Sequence, residues 1–215
     1  MAVVAVLVGA AATFVFQQWR AERERREIIL TRYLAQLQEA CESLWYRLKN
    51  LAFESADVAS DPDYLVTTTM YTLGRALGIE RMLALEGRYP QIWKRFSQLT
   101  PILKRRVIDD AVSTATKEAA SELQHYDRVA LAEAAVERDG AGFRPSTFLE
   151  FRRRVEGPER DWWKPARASV AALQNQPDPV APLMNALRAL AVELSATTKM
   201  DTPLAAESDV VEGAD

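Results

Sequence analysis

The sequence predicts an all-α protein in which an N-terminal transmembrane helix continues into a cytoplasmic multi-helix bundle. Residues 2–16 carry no charge and are almost entirely apolar, which is typical of a membrane segment. Leucine seams with helical spacing follow at 30–51 and again at 183–194. The predicted parts are a transmembrane anchor (residues 1–19), a helical bundle domain (residues 20–199) and a disordered acidic tail (residues 200–215).

The N-terminal run is just long enough to cross a membrane. Its eight strongly apolar residues favour insertion by roughly 2 to 5 kcal/mol. As a helix, residues 1–19 would rise ~28 Å, close to the ~30 Å hydrocarbon core of a bilayer. A cleaved signal peptide and a buried core helix are the alternatives. The signal peptide is disfavoured because no basic residue precedes Ala2.

The charges beside the run set its predicted orientation. Basic residues flank only its C-terminal side, so the positive-inside rule places the rest of the chain in the cytoplasm. A tryptophan at the end of the run suits the headgroup level of a bilayer. The membrane-interface residues predicted here are Trp19, Arg20, Arg23, Arg25 and Arg26.

Composition indicates an ordinary globular domain after the anchor. The chain has 215 residues, of which about 180 remain for a domain with its own core. A net charge of −3 gives no indication of nucleic-acid binding. Because Cys41 is the only cysteine, an internal disulfide is excluded, and a reducing compartment fits.

The first long helix carries a heptad seam from Leu30 to Leu51. Its members are separated alternately by four and three residues, and the last helix repeats this spacing between Leu183 and Leu194. The first seam could form a homodimer, but we favour a monomer in which the two seams pack together around 37–51. The end at 30–34 is then expected to be partly uncovered.

The middle of the chain is predicted to be helical throughout. Asp61-Pro62 caps a helix that ends near Gly87, although the β-branched stretch 64–73 would also suit a strand. Because no partner strand is evident elsewhere in the sequence, we predict a helix. Gly74 and Gly78 lie four residues apart and predict a close approach by another helix.

Further helices are predicted in the second half of the chain. One covers about 102–124, and the next ends at Asp139-Gly140. Thr147 and Glu150 have the spacing of a capping box. The last helix begins at Asp178-Pro179, and the acidic tail after it has no apolar periodicity.

Three loose motifs occur in this framework: RLKN at 47–50, TTMYTL at 68–73, and a segment from Phe148 to Trp163. With them the chain resembles an uncharacterised family of bacterial membrane-tethered helical proteins. A glutamine-containing element of that family is degraded here near 129–133. The resemblance implies the architecture over residues 1–195 and a single-pass protein of the bacterial plasma membrane, and it implies no function.

Few residues suit catalysis or metal binding. His125 is the only histidine, which together with the single cysteine excludes the usual zinc patterns. Nothing near His125 forms a nucleophile–base motif, and no glycine-rich phosphate loop is present. The acids at 57–63 lack the glycine and glutamate of a calcium loop. We predict no enzymatic activity, no metal and no cofactor.

A second basic and aromatic cluster consists of Arg152, Arg153, Arg154, Trp162 and Trp163. It could touch anionic headgroups, but we favour the interpretation that its tryptophans are core and its arginines pair with neighbouring glutamates. The sequence favours a membrane-tethered scaffold or interaction module whose partners are the bilayer and an unidentified protein. The alternatives are a signalling accessory that transmits a partner's state through the anchor helix and, third, an enzyme.

Overall fold

The first two helices form one uninterrupted helical path into the core. In this computed structural model, α1 spans Ala2–Ile29, a π-helical turn spans Leu30–Leu34, and α2 spans Ala35–Ala52. The backbone stays helical across both junctions, as the sequence predicted. The structure describes residues 2–53, 62–99, 101, 103, 106–140 and 142–210, with side chains described from residue 13 onward except that of Pro62.

The rest of the described chain is mainly helical, so the all-α class is confirmed. The 3₁₀ turns lie at Ser97–Leu99, Arg160–Trp163 and Pro203–Ala205. The remaining helices and strands are α3 (Pro62–Leu85), α4 (Tyr89–Arg95), α5 (Val107–Glu118), α6 (His125–Ala134), β1 (Val136–Asp139), β2 (Gly142–Pro145), α7 (Phe148–Val155), α8 (Lys164–Ala172) and α9 (Pro177–Thr198).

The core lies between α2, α3 and α9, with α5 and α6 packed on its sides. The first and last long helices pack directly on each other through their leucine seams, as expected. The extent of the seam differs from the expectation, because Leu34 is completely buried and only Leu30 is partly covered. The π turn explains the difference. Its extra residue brings Ile29, Tyr33 and Leu34 onto the buried side together.

The predicted close approach at Gly74 and Gly78 is present, and the neighbour is α6. A Cβ atom at Gly74 would lie 2.8 Å from the carbonyl oxygen of Leu131. At Gly78 it would lie 2.9 Å from the carbonyl oxygen of Ala132. Both glycines are therefore needed for α3 and α6 to touch through their backbones.

Two predicted helix ends were wrong. Helix α5 ends at Glu118, and Ala120 adopts a left-handed conformation with φ of 58°. The N–H of Ser121 bonds to the carbonyl oxygen of Thr116, so this is a Schellman-type end made without glycine. The next helix ends at Ala134, before the expected Asp139-Gly140.

A short hairpin replaces the end of that predicted helix. Strands β1 and β2 pair in antiparallel register from Val136↔Pro145 to Asp139↔Gly142. The turn passes through Gly140, whose φ is 56°. The side chains of Val136 and Phe143 pack against the core, which holds the hairpin down.

The acidic tail also differs from the expectation of disorder. Residues 200–210 pack along α2 and α9, and Leu204 is completely buried. A disordered tail was expected because the segment has no apolar periodicity, but the buried Leu204 and hydrogen bonds from Gln38 and Arg188 hold it to the bundle. Residues 211–215 lie outside the described residues.

The predicted capping box is confirmed at the start of α7. The Thr147 hydroxyl accepts from the N–H of Glu150, and the Glu150 carboxylate accepts from the N–H of Thr147 at 2.7 Å. The same carboxylate binds both terminal nitrogens of Arg144. That interaction, followed by the backbone bond, lowers the pKa of Glu150 to about 2.

Within the described part of the chain, no helix combines the length and apolarity that a membrane crossing requires. The predicted anchor falls largely on 2–12, whose side chains lie outside the described ones. Of the acids considered for a calcium loop, Asp57 and Asp61 also lie outside the described residues.

Candidate functional site

The described end of α1 presents its apolar side chains to the surroundings. Phe14, Val15 and Phe16 are each about 60% exposed, and Trp19 is 56% exposed. The guanidinium of Arg23 lies over the indole of Trp19, 5.7 Å from the ring centroid. Aromatic and cationic groups thus occupy one level of the helix, immediately after the apolar run.

The following turn of α1 is fastened to the bundle. Glu22 forms an ion pair of 2.6 Å with Arg95 of α4, and this hydrogen bond lowers the pKa of Glu22. The guanidinium of Arg26 lies over the ring of Phe96, which is itself buried. The helix therefore projects from a fixed point on the domain.

The second predicted cluster is divided by the fold. Arg154 serves a structural purpose, because it donates to the backbone carbonyls of Ala134 and Val136 and pairs with Glu137. Arg152 pairs with Glu156 at 2.7 Å on the surface, and Arg153 is exposed.

The tryptophans of this cluster differ from each other. Trp162 is 75% exposed, so the interpretation that both tryptophans are core was wrong for it. Trp163 packs partly against the core, and its indole N–H is buried with no hydrogen-bond partner among the described residues. The arginines are closer to the expectation of glutamate pairing, although Glu150 pairs with Arg144 instead.

A polar cluster that sequence reasoning missed clamps the π turn. Tyr33 donates a hydrogen bond to the carboxylate of Glu86. The same carboxylate accepts from the N–H of Phe143 at 3.1 Å and lies 3.5 Å from the guanidinium groups of Arg32 and Arg88. Burial opposes ionisation of Glu86, but these bonds and charges together lower its pKa.

Arg32 extends this clamp to the hairpin. Its guanidinium donates to the carbonyl oxygen of Phe143 at 2.7 Å. The end of α3, the π turn and the β-hairpin therefore meet at one carboxylate. No spacing in the sequence joins these residues, since more than fifty positions separate Tyr33 from Glu86.

A small cavity beside Glu80 gathers the titratable groups of four helices. Glu80 is only 7% exposed, and the charges that act on its carboxyl group are those of Asp109, Arg106 and Asp110. Burial, reinforced by the charge of Asp109, raises the pKa of this carboxyl to about 8, while Arg106 opposes the rise. The cavity is lined by Leu77, Glu80, Arg81, Ala84, Tyr89, Arg106, Asp109, His125, Arg128, Val129 and Ala132.

Two of the lining groups are structural. Asp109 is partly buried and forms a 2.7 Å ion pair with Arg128. The hydroxyl of Tyr89 donates to the backbone carbonyl of Glu80 at 3.2 Å. A sequence signal for Glu80 did exist, because it lies three and seven residues after the buried Leu77 and Leu73 on the inner face of α3.

The chemistry that this cavity can support is limited by its size. Its volume is about 60 Å³, whereas pockets for drug-sized ligands are usually larger than ~300 Å³. His125 lines the cavity, but no described hydroxyl or thiol is hydrogen-bonded to it. Burial raises the pKa of the Cys41 thiol well above its usual value, which makes that cysteine unreactive. Among the described residues no cluster of potential ligands has the geometry for a metal ion.

Comparison with protein-family models, with curated proteins and with solved structures finds no match for this chain.

Proposed function

We propose that this protein is a membrane-tethered helical interaction module, held by residues 1–19 at the cytoplasmic face of a bacterial plasma membrane. The observation that carries the proposal is the exposed apolar surface of α1 at Phe14, Val15 and Phe16, directly before Trp19 and the arginines. Together with Trp19 these are four large apolar side chains exposed to solvent on neighbouring turns of α1. Insertion into a bilayer would remove all four from water.

The charge pattern supports a bilayer as the cover. Trp19 with Arg23 stacked above it fits the headgroup region, where amphipathic rings and cations are both favoured. The ion pair between Glu22 and Arg95 holds the domain close to the headgroup region. Arg153 and Trp162 are the members of the second cluster with exposed polar or aromatic surface, and we include them as candidate headgroup contacts.

An interaction role is favoured over catalysis by the character of the domain surface. The polar groups that converge at Glu80 enclose only about 60 Å³, and Arg128 and Asp109 neutralise each other there. Large side chains are instead exposed at separate surface points, such as Tyr126 at 84% and Trp162 at 75%. A scaffold that presents surface to a protein partner fits these features better than an enzyme does.

A second candidate function, signalling through the anchor, has one specific observation in its favour. The helical path from Ala2 to Ala52 is continuous and contains a π turn at its entry into the core. Single π turns inside α-helices are rare and frequently lie at functional sites. Glu86 holds this turn to α3 and to the hairpin, so a shift of α1 would be felt at both.

Liposome flotation of charge-bearing variants tests the proposed tether. The full chain with Phe14→Glu and Phe16→Glu should lose most of its association with anionic vesicles, because two carboxylates would have to enter the hydrocarbon boundary. The matched control carries Tyr126→Glu and Leu149→Glu, which also add two charges at exposed positions of large side chains, away from the proposed membrane contacts. Equal flotation of both double variants would contradict the tether.

A further inference from the structure

The described part of the tail lies in a groove between α2 and α9. The groove is formed by Gln38 of α2 and by Asn185 and Arg188 of α9, which bond to the tail. It also includes the apolar site in which Leu204 is buried, the apolar socket. We call this surface the tail groove. The tail enters it directly after α9, whose C-cap residue Lys199 turns the chain with a φ of 64°.

The tail groove contacts mainly the backbone of the tail. The Gln38 amide donates to the carbonyl oxygens of Met200 and Asp201 at 3.2 and 3.3 Å. Arg188 Nε donates to the carbonyl oxygen of Leu204 at 3.1 Å. These bonds would form with any residue at the same positions, so they hold a main chain without choosing its sequence.

Asn185 recognises the backbone in the way a neighbouring β-strand does. Its side-chain oxygen accepts from the N–H of Val210 at 2.8 Å, and its side-chain nitrogen donates to the carbonyl oxygen of Val210 at 3.0 Å. One amide thus satisfies both polar groups of a single residue. Such paired main-chain bonds are the usual means by which peptide-binding surfaces gain affinity.

Two side chains of the tail supply selectivity. Leu204 is completely buried and serves as the apolar anchor. Asp209, five residues later, forms a 2.6 Å ion pair with Arg188. A segment that matches the tail groove therefore carries a leucine-like residue followed by an acid.

The tail fills this surface with few buried groups. Of residues 200–210 only Thr202 and Leu204 are buried, and the only regular structure is one 3₁₀ turn. Trp45, Lys49, Phe53 and Met184 extend the groove beside Val210, around a cavity of about 220 Å³. A ligand with more apolar contacts than the tail would find additional surface there.

We propose that the tail groove is a binding site for an acidic segment of a protein partner, and that the chain's own tail occupies it until the partner displaces it. The inference rests on the interaction role proposed above and names the partner's chemistry: an extended segment with one aliphatic anchor and an acid about five residues later. A tethered tail competes at an effective concentration in the millimolar range, which keeps the groove closed to weak ligands.

The test uses the full chain and a fluorescein-labelled, amidated peptide of residues 200–210. In the Leu204→Asp chain the tail is released, because an aspartate cannot occupy the apolar socket. Fluorescence anisotropy should show that this chain binds the peptide at least tenfold more tightly than the unaltered chain. A peptide that itself carries Leu204→Asp should not bind. Circular dichroism checks that the variant is folded, and the milder Leu204→Ala chain, which also removes most of the anchoring side chain, replaces it if it is not.

Two arginine variants in the released chain separate the groove from general charge attraction. Arg188→Glu should weaken peptide binding at least tenfold, whereas Arg153→Glu, at an exposed position without an ion pair among the described residues, should change it less than twofold. Equal effects of the two, or no gain in binding on release of the tail, would overturn the proposal. Formation of a dimer by the released chain without binding of the peptide would also overturn the proposal, because the groove would then bind a second copy of this chain. The assay needs no membrane, so its failure is distinct from failure of the tether.

Discussion

Tyr33, in the π turn, donates a hydrogen bond to the carboxylate of Glu86, one residue beyond the end of α3. This bond joins the continuous helical path of α1 and α2 to the end of α3. Because the N–H of Phe143 and two arginines converge on the same carboxylate, the hairpin is tied to the same point. The junction between α1 and the rest of the domain is therefore held at this one carboxylate, and we call these contacts the Glu86 lock.

Removing the hydroxyl of this lock should destabilise the domain. Tyr33→Phe leaves the buried ring in place and deprives Glu86 of one donor, for an expected loss of about 1–3 kcal/mol. Tyr126→Phe removes the same atom from an 84% exposed side chain and should change stability by less than about 0.5 kcal/mol. Urea unfolding of both variants measures the difference, and equal midpoints would show that the lock contributes nothing.

Glu80 should make the protein less stable as pH rises. Its pKa is about 8 when folded and near the ordinary 4.5 when unfolded, so its contribution is complete below pH 4.5 and is lost as pH rises through about 8. Between these values stability should fall by about 1.4 kcal/mol per pH unit from this group. Asp109, Asp110 and Arg106 are the charges that act on it.

The Glu80→Gln variant isolates that contribution. Glutamine cannot ionise, so the difference between the two proteins should grow from pH 5 to pH 8 in favour of the variant. Asp110→Asn, on an exposed position nearby, is the control and should leave most of the slope in place. Parallel stability curves for the unaltered protein and Glu80→Gln would mean that the buried carboxyl does not titrate in this range.

Gly74→Ala should destabilise the protein, although alanine favours helices. In an unobstructed helix the change would gain up to about 1 kcal/mol. Here the new methyl group would lie 2.8 Å from the backbone oxygen of Leu131, and relieving that overlap should cost about 1–3 kcal/mol. The sign of the measured change is therefore the test, and a stabilised variant would contradict the contact between α3 and α6.

The buried leucines of the seam should be far more sensitive than its uncovered end. Leu34→Ala and Leu44→Ala each remove a completely buried side chain and should cost about 2–5 kcal/mol. Leu30→Ala, at a partly buried position, should cost much less. A smaller loss for Leu34 than for Leu30 would show that the π turn does not rotate the seam as described.

The elements that the sequence predicted well are those with a repeating local cause. The four-and-three spacing of leucines predicted α2 and α9 and their contact, and the pair Gly74 and Gly78 predicted a close neighbour. The capping box at Thr147 needs only residues three apart, and it was correct as well.

The missed features depend on contacts between distant residues. The hairpin forms because Val136 and Phe143 pack against the core, and the tail docks because Leu204 is buried in the core and its 3₁₀ turn packs against α9. Neither contact leaves a periodic signal in its own segment. The Glu80 cavity could have been suspected from a glutamate on an apolar helix face, but its partners Arg106 and Asp109 come from another helix.

Carbonate extraction of native membranes tests the central claim of the proposal most directly. High pH strips peripheral proteins, whereas a helix that spans the bilayer stays with the lipid. The full chain expressed in a bacterium should remain in the carbonate-washed membrane pellet, and residues 20–215 expressed alone should appear in the supernatant. Release of the full chain by carbonate, or a mature N-terminus near Phe14, would contradict an account in which residues 1–19 tether the domain.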